Sequence, residues 1–394
     1  MKKRFRLLMA LLPLLVVLGG LSVATAQEKV RGVTDTEILI GQWGPQTGPA
    51  ALWGAVGRAT GVFFELINSE GGINGRKIKY FLRDDAYQPA KTKAVAKEFV
   101  DDIGVFAVVG GVGTSCGMAV REYLTSNKIP WVSPASGSSH WTQPFNRYIF
   151  STFPKYYQEA FVEVKYVVET MGKKKIGFFY QNDDYGKEGL DGAKKYLSSK
   201  NMALAAEVPV EVTDTDLKTH AMKLKDSGAE VVILWVNPKH AAIMVQVAKS
   251  ISFNPQWLAC STLSDPEMFF KITKGAWKDV IYGNFVNMKS PLIKKYLAAQ
   301  QKWAPKETYT GLFYLAGFYF AEPLVEGLKR CGKNLTVDNF IKAMETIKDW
   351  NEWLGYNCTF TNEDHQGVKS VYLEKCGDNG ERIKVSDWLL YSEK

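Results

Sequence analysis

The chain has 394 residues, of which 46% are hydrophobic and 23% charged, with a formal net charge of +8. This length is too great for one small domain and suits two of ordinary size, and the composition excludes the disordered and collagen-like classes. Four of the positive charges lie at Lys2, Lys3, Arg4 and Arg6, so the chain from residue 27 onward carries +4. Lysine alternates with acidic residues throughout, which argues against a nucleic-acid partner.

The first 26 residues have the pattern of a secretory signal peptide. A basic start precedes an apolar run over residues 7–23, and Ala24 and Ala26 occupy the small-residue positions of a cleavage site. Pro13 and two glycines interrupt the run, so we predict cleavage after Ala26 rather than a membrane anchor. No cysteine lies near the predicted cleavage site, so attachment of a lipid anchor is not expected. We therefore expect a protein of the Gram-negative periplasm.

The cysteines and histidines predict neither a metal site nor a cofactor. Five cysteines allow at most two disulfides, and Cys358 and Cys376, which flank a predicted hairpin of residues 358–374, are the best pair. The four histidines are scattered and no HExxH motif occurs.

From residue 37 onward, strands alternate with helices in two series separated by residues 147–154. Strands are predicted at residues 37–41, 77–82, 105–109, 129–132, 175–180, 203–210, 230–236 and 256–259. This alternation is typical of parallel sheets with right-handed crossovers. We therefore predict an α/β protein with two doubly wound lobes. Residues 309–325 are very apolar, but Glu322 and Pro323 interrupt them, which favours a core helix over a membrane span.

A glycine-rich turn between a buried strand and a helix, at residues 108–120, is the most informative segment for function. A dinucleotide fingerprint fails because Cys116 stands where the third glycine belongs, and no Walker lysine is present. Residues 113–117 match GxSxG, so a secreted serine hydrolase that uses Ser115 with His365 is an alternative. We favour a third interpretation, in which the helix start, Thr114 and Ser115 bind an anion.

Two further features point to a binding cleft beside this helix start. Ser136 belongs to a serine-rich loop, residues 133–139, at the end of the next strand, and ligands of doubly wound sheets bind at such strand ends. Trp53 and Tyr185 follow strands and Trp235 ends one, and aromatic rings at such places offer a ligand apolar contact and a hydrogen-bonding group.

In this order, the motifs resemble the substrate-binding component of ABC transporters of the branched-chain amino acid type, a type I periplasmic binding protein. The resemblance covers residues 27–394, and it is carried by residues 38–41, 47–49, 53–54, 68–75, 84–85, 109–114, 133–135, 182–186, 359–361 and 364–367. It implies two lobes joined by three crossovers with the ligand between them. The crossovers would lie near residues 148–154, 282–287 and 347–356. The first lobe would comprise residues 27–150 and 288–348, and the second lobe residues 151–287 and 349–394.

The resemblance also assigns roles to residues. In the family, the residue at the position of Thr114 binds the ligand carboxylate through its hydroxyl and backbone N–H. The loop of Ala135, Ser136 and Gly137 completes this carboxylate-binding site. Tyr185 closes from the second lobe, and Trp53 covers the ligand from the first.

One departure concerns the ligand. Amino-acid-binding members hold the α-ammonium with a carboxylate after the strand at residues 256–259, whereas here that position is Ser261 and the nearest acid is Asp265. An ammonium without an anionic partner in a closed cleft is costly. We therefore expect an amino acid or, in preference, an amine-free carboxylate, which the tryptophan content allows to be aromatic.

These observations predict a solute-binding component of an ABC uptake system that captures a small carboxylate by hinge closure and is not an enzyme. The expected partner is a membrane permease, and the protein itself is expected to be monomeric. A ligand-sensing domain for a receptor or regulator is a further alternative, which the sequence separates poorly from transport.

Overall fold

A computed structural model describes residues 30–391. The predicted signal peptide, residues 1–26, and its cleavage after Ala26 lie outside these residues. The strands are β1 (Glu37–Gly44), β2 (Lys77–Asp84), β3 (Ala107–Val109), β4 (Trp131–Val132), β5 (Ile149–Phe150), β6 (Ile176–Gln181), β7 (Ala206–Val210), β8 (Val231–Trp235), β9 (Gln256–Ala259), β10 (Ile281–Asn284), β11 (Ser370–Cys376), β12 (Arg382–Lys384) and β13 (Leu389–Leu390). The helices are α1 (Ala55–Ser69), α2 (Pro89–Lys97), α3 (Thr114–Ser126), α4 (Tyr156–Lys165), α5 (Asp184–Ser199), α6 (Lys218–Asp226), α7 (Pro238–Ser250), α8 (Pro266–Ile272), α9 (Leu292–Trp303), α10 (Leu312–Cys331) and α11 (Val337–Met344).

Local sequence signals explain where several helices begin. Pro89, Pro238 and Pro266 each occupy the first helical position, where a missing N–H costs no hydrogen bond. Asn237 caps α7 by accepting a hydrogen bond from the backbone N–H of His240 at 3.0 Å. The predicted strands start close to where the structure places them, with β7 beginning three residues later than the predicted residue 203.

The first sheet is parallel and has the strand order β2-β1-β3-β4-β5. Its strands alternate between two cores, because successive side chains of a strand point to opposite faces. In β4, Trp131 packs in the cluster that includes Val95 of α2 and Leu124 of α3, whereas Val132 packs in the one that includes Phe318 of α10. We call this sheet with α1–α3 and α9–α11 the first lobe.

The second sheet has the order β12-β11-β10-β9-β8-β6-β7, with β13 paired to β11. The strands from β7 to β10 are parallel, as predicted for β6 to β9. Strand β10 was not predicted, because its residues 282–284 were assigned to the second crossover, and β11, β12 and β13 add antiparallel pairings. We call this sheet with α4–α8 the second lobe. The predicted α/β class is confirmed, whereas the antiparallel strands at one edge of this sheet were not predicted.

The chain passes between the lobes three times. It leaves β5 through residues 151–155 to reach α4, leaves β10 through residues 285–291 to reach α9, and returns from α11 through residues 345–369 to β11. The segment between the second and third crossovers belongs to the first lobe, because its helix α10 packs against α1 as well as against α11. The predicted division at residues 150, 287 and 348 stays a prediction.

Two predictions for the C-terminal segment that contains Cys358 and Cys376 are wrong. The expected hairpin between residues 358–361 and 371–374 is absent, since Cys358 forms an antiparallel bridge with Trp350, while β11 inserts beside β10 and turns into β12. The expected disulfide between Cys358 and Cys376 is also absent: both thiols are buried and free, and the three other cysteines are free as well.

The apolar segment near residue 320 is a core helix. Helix α10 continues through Pro323 as far as Cys331, and nearly all of its residues are buried in the first lobe. Among residues 30–391, no helix combines the length and the apolar character that crossing a membrane requires.

Candidate functional site

A cavity between the two lobes has an empty volume of about 490 Å³, including space open to solvent. Its lining contains aromatic, aliphatic and hydroxyl side chains and no charged residue among the described ones. The lining residues are Trp53, Val56, Tyr87, Val112, Gly113, Thr114, Ala135, Phe153, Tyr156, Tyr185, Ser261, Thr262, Phe285, Leu312, Phe313, Ala316 and Phe320. Five of the nine predicted site residues are in this set: Trp53, Thr114, Ala135, Tyr185 and Ser261.

On the first lobe, the cavity meets the N-terminus of α3. Gly111 and Gly113 have φ angles of 83° and 105°, which glycine adopts without steric cost, and a Cβ at either position would overlap Trp43 or Tyr87. This tight turn brings Thr114, the first residue of α3, to the cavity wall. The first N–H groups of a helix have no acceptor within the helix, and the helix dipole favours negative charge there.

The neighbouring loop lies beside this helix start. Val112 and Ala135 form a parallel bridge, and the hydroxyls of Thr114 and Ser136 are 2.8 Å apart. Ser136 itself lies behind the lining. Gly137 accepts a hydrogen bond from the Tyr156 backbone N–H at 2.8 Å and also lies behind the wall. The first-lobe wall therefore carries hydrogen-bond donors but no charged side chain of the described part of the chain.

The second-lobe wall is different, because its polar groups bind each other. The backbone N–H and hydroxyl of Ser261 donate to Glu159 at 2.5 and 2.8 Å, and the Ser261 carbonyl accepts from Ser264 Oγ at 2.6 Å. Thr262 Oγ1 is 2.6 Å from the Tyr185 hydroxyl. Asp265 accepts from the backbone N–H of Leu312 at 2.9 Å and does not line the cavity. No carboxylate of the described residues reaches this wall.

Two carboxyl groups lie behind Ser261, in the core of the second lobe. Glu159 and Glu163 are one turn apart on α4 and fully buried, and Glu163 has no hydrogen-bond partner among the described residues apart from its neighbour Glu159. Gly283 in β10 leaves room for both, since a Cβ there would lie 2.7 and 2.8 Å from their oxygens. Burial raises the pKa of both groups, and the charge of Glu159 raises that of Glu163 further. The pair therefore holds at least one proton near neutral pH.

The three predicted aromatic residues occupy two layers. Trp53 and Tyr185 line the cavity with their ring centroids 6.2 Å apart. Trp235 does not line it. This fully buried residue stacks on Phe178 at 5.9 Å and meets the edge of Tyr156 at 5.8 Å, so it lies one layer behind the wall.

Hydrogen bonds across the cleft show that the lobes are closed. Trp53 Nε1 donates to the Thr262 carbonyl at 3.1 Å. Glu188 on α5 accepts from the Ser138 hydroxyl and from the Ser139 backbone N–H, the latter at 2.7 Å. Burial in this contact raises the pKa of Glu188.

Twelve lining residues were not among the predicted site residues: Val56, Tyr87, Val112, Gly113, Phe153, Tyr156, Thr262, Phe285, Leu312, Phe313, Ala316 and Phe320. Two of them lie on crossovers, Phe153 and Phe285, and the last four lie on α10. The aromatic content of residues 309–325 was visible, but only the return of α10 to the first lobe places it here.

The arrangement around Ser115 gives no support to the hydrolase alternative. Ser115 is half-buried outside the cavity lining, and its Oγ donates to Asp183 at 3.5 Å. Both ring nitrogens of His365 are engaged elsewhere, with the Ile149 carbonyl at 3.1 Å and with Glu345 at 3.3 Å. Within residues 30–391, no three His, Cys, Asp or Glu side chains cluster in a way that could hold a metal ion.

Comparison with known proteins finds one family over most of the chain. The sequence model of the periplasmic binding protein family matches residues 37–381. The Leu/Ile/Val-binding protein homolog 3 of Brucella melitensis is 28% identical over 299 residues, which are 75% of this chain and 80% of that protein.

Solved structures share the fold. A branched-chain amino acid ABC transporter protein from Thermus thermophilus with bound valine has a TM-score of 0.83 at 17% identity and covers 91% of this chain and 97% of its own. A fatty acid ABC transporter substrate-binding protein from Thermomonospora curvata has a TM-score of 0.82 at 24% identity and covers 93% and 95%. The α/β architecture with parallel sheets is therefore that of type I periplasmic binding proteins.

Proposed function

Because the chain belongs to the periplasmic binding protein family, we propose that it is the solute-binding component of an ABC uptake system and captures a small, amine-free carboxylic acid. The observation that carries this proposal is the cavity between the closed lobes, which has hydrogen-bond donors on one wall and, among residues 30–391, no charged side chain in its lining.

The first-lobe wall suits a carboxylate. Thr114 offers its hydroxyl beside that of Ser136, and the start of α3 adds unpaired N–H groups and the positive end of the helix dipole. Uncharged donors of this kind can bind an anion without a cation. This role for Thr114 and the adjoining loop is the one implied by the family resemblance.

The second-lobe wall does not suit an ammonium. The hydrogen bonds of Ser261 are taken up by Glu159 and Ser264, and Asp265 is engaged with Leu312. An ammonium placed there would lose its hydration without gaining a carboxylate partner. This is the physical basis for preferring an acid without the amine.

The rest of the cavity suits an apolar group. Eight of the lining residues carry aromatic rings, and their side chains are buried. Aromatic and long-chain acids both fit this chemistry, and the fold is shared with a fatty acid-binding protein.

Capture then proceeds through closure rather than chemistry. The first lobe holds the carboxylate, and hinge closure brings Tyr185 against Trp53 and forms the Glu188 contact with Ser138 and Ser139. Open and closed states present different surfaces, which a membrane permease distinguishes. The protein acts as a monomer in the periplasm.

Matched ligand pairs test the proposal by calorimetry on the mature chain. Leucine and 4-methylpentanoate differ only in the amine, as do phenylalanine and 3-phenylpropionate. We expect the amine-free member of a pair to bind at least about tenfold more tightly, because it avoids an unpaired buried charge. Tighter binding of the amino acids would overturn the ligand class, and no binding of any carboxylate would overturn the function.

A further inference from the structure

Two of the three crossovers contribute a phenyl ring to the ligand cavity. Phe153 lies between β5 and α4, and Phe285 directly follows β10. Both line the cavity, and their ring centroids are 4.4 Å apart. The hinge is therefore part of the wall that a ligand touches.

A third ring ties these crossovers to the first lobe. Phe320 of α10 stacks on Phe153 at 5.8 Å and lies 6.0 Å from Phe285. The backbone beside Phe153 is also held, since the Thr152 carbonyl accepts from Tyr319 and the Phe153 carbonyl accepts from Gln366, both at 2.7 Å. A displacement of the first crossover therefore moves the Phe153 ring with it.

Ring contacts continue from this hinge cluster to the closing contact at the cleft. Centroid distances are 5.4 Å from Phe153 to Tyr156, 5.0 Å from Tyr156 to Tyr185 and 6.2 Å from Tyr185 to Trp53. Trp53 in turn donates across the cleft to Thr262. A ligand in the cavity thus contacts the hinge and the closing residues together.

Hinge closure changes the backbone angles of a few crossover residues. A ligand that fills the space against Phe153 and Phe285 stabilises the crossover positions of the closed state. A smaller one leaves a void that loses dispersion contacts, and a larger one displaces the rings.

We propose that Phe153 and Phe285 are specificity-determining residues through which the shape of the ligand's apolar part controls closure as well as affinity. The inference rests on the proposed function. It assigns to this site carboxylic acids whose apolar part is broad enough to reach the hinge, such as aryl-substituted acids, in preference to short-chain acids.

The variants Phe285→Ala and Phe320→Ala form a matched pair. Each removes one phenyl ring from the same cluster, but only Phe285 lies on a crossover. Binding of benzoate, 3-phenylpropionate and 5-phenylpentanoate is measured by calorimetry, and closure by the ligand-induced decrease in the radius of gyration in small-angle X-ray scattering. Phe285→Leu, with circular dichroism as a folding check, replaces Phe285→Ala if the alanine variant does not fold.

Both variants are expected to shift preference towards the longer acids, by about fourfold for each methylene newly accommodated. Only Phe285→Ala is expected to lose the contraction at saturating ligand. Equal contraction in the two variants, or an unchanged order of acids in Phe285→Ala, overturns the inference while the proposed function stands. If the wild-type protein binds none of the acids, the proposed function fails and this inference with it.

Discussion

The two walls of the cavity use their hydrogen bonds in opposite ways. The first-lobe wall is built from a helix start whose N–H groups are unpaired, and the Thr114 hydroxyl can donate to a ligand while it accepts from Ser136. The second-lobe wall is a short turn whose Ser261 donates twice to the buried Glu159. Under the proposed function, the same residue types bind ligand on one side and stabilise the protein on the other, so hydroxyl content alone does not identify a binding wall.

Removing one hydroxyl from each wall separates the two roles. Thr114→Val should weaken acid binding by roughly 1.5–3 kcal/mol, because it deletes a charge-assisted hydrogen bond. Ser261→Ala, the control, should leave the dissociation constant within about twofold and lower the melting temperature, because Glu159 loses one donor. Calorimetry and thermal unfolding of both variants measure these effects.

The contrast fails if Ser261→Ala weakens binding as much as Thr114→Val does. That result would place a ligand polar group on the second-lobe wall and would restore an ammonium or hydroxyl to the expected ligand.

The carboxyl pair behind Ser261 predicts how stability depends on pH. The pKa of Glu159 is raised from 4.5 to about 7 by burial, so its contribution is present below pH 4.5 and is lost as the pH rises through 7. Glu163→Gln removes a buried carboxyl that stays protonated in the folded protein but ionises in the unfolded chain, so it should raise the free energy of unfolding at pH 8, with little change at pH 5. Urea unfolding across this pH range measures the difference.

The control for this prediction is Glu267→Gln, which changes an exposed acid on α8 of the same lobe. It should follow the wild-type pH dependence. A Glu163→Gln variant with the wild-type slope would show that the pair does not share a proton.

A smaller effect on ligand binding is expected where the two lobes contact each other outside the ligand cavity. Glu188 accepts from Ser138 and Ser139 across the cleft and does not line the cavity. Glu188→Ala should speed ligand dissociation about fivefold, through the loss of roughly 1 kcal/mol of closing contact, and leave association unchanged. Stopped-flow tryptophan fluorescence measures both rates.

Glu207→Ala provides the comparison for Glu188→Ala, because Glu207 pairs with Lys194 at 2.7 Å within the second lobe. Its dissociation rate should equal that of the wild type. A slower association in Glu188→Ala would instead indicate a role in the open state.

The sequence predicts what depends on local pattern. Alternating strands and helices predict the lobes, and the glycine turn before Thr114 predicts the helix start at the cavity, because both arise from neighbouring residues. Trp235 shows where such reasoning ends: a strand-end aromatic was predicted to face the cleft, whereas the structure places it behind Tyr156, since the position of a strand end does not fix the layer its side chain occupies.

Long-range contacts could not be predicted in this way. Phe153 and Phe285 reach the cavity only because their crossovers lie side by side, and Phe320 because α10 returns to the first lobe. The tail shows the same limit, because β11 pairs with the distant β10 rather than with the segment that precedes it.

The smallest expected effect concerns the thiols, and it tests whether the third crossover is free to move. Cys358 lies in that crossover and Cys376 ends β11, so a disulfide between them would fix the crossover to the second lobe and oppose opening. With both thiols free, a reductant should leave the melting temperature unchanged, and the denatured mature chain should titrate as five thiols without reduction. Two missing thiols together with a reductant-sensitive melting temperature would mean that the bond forms, and stability on the order of 2–5 kcal/mol would then depend on it. In that case ligand-induced closure should be larger in reduced than in oxidised protein, and small-angle scattering under both conditions measures that difference.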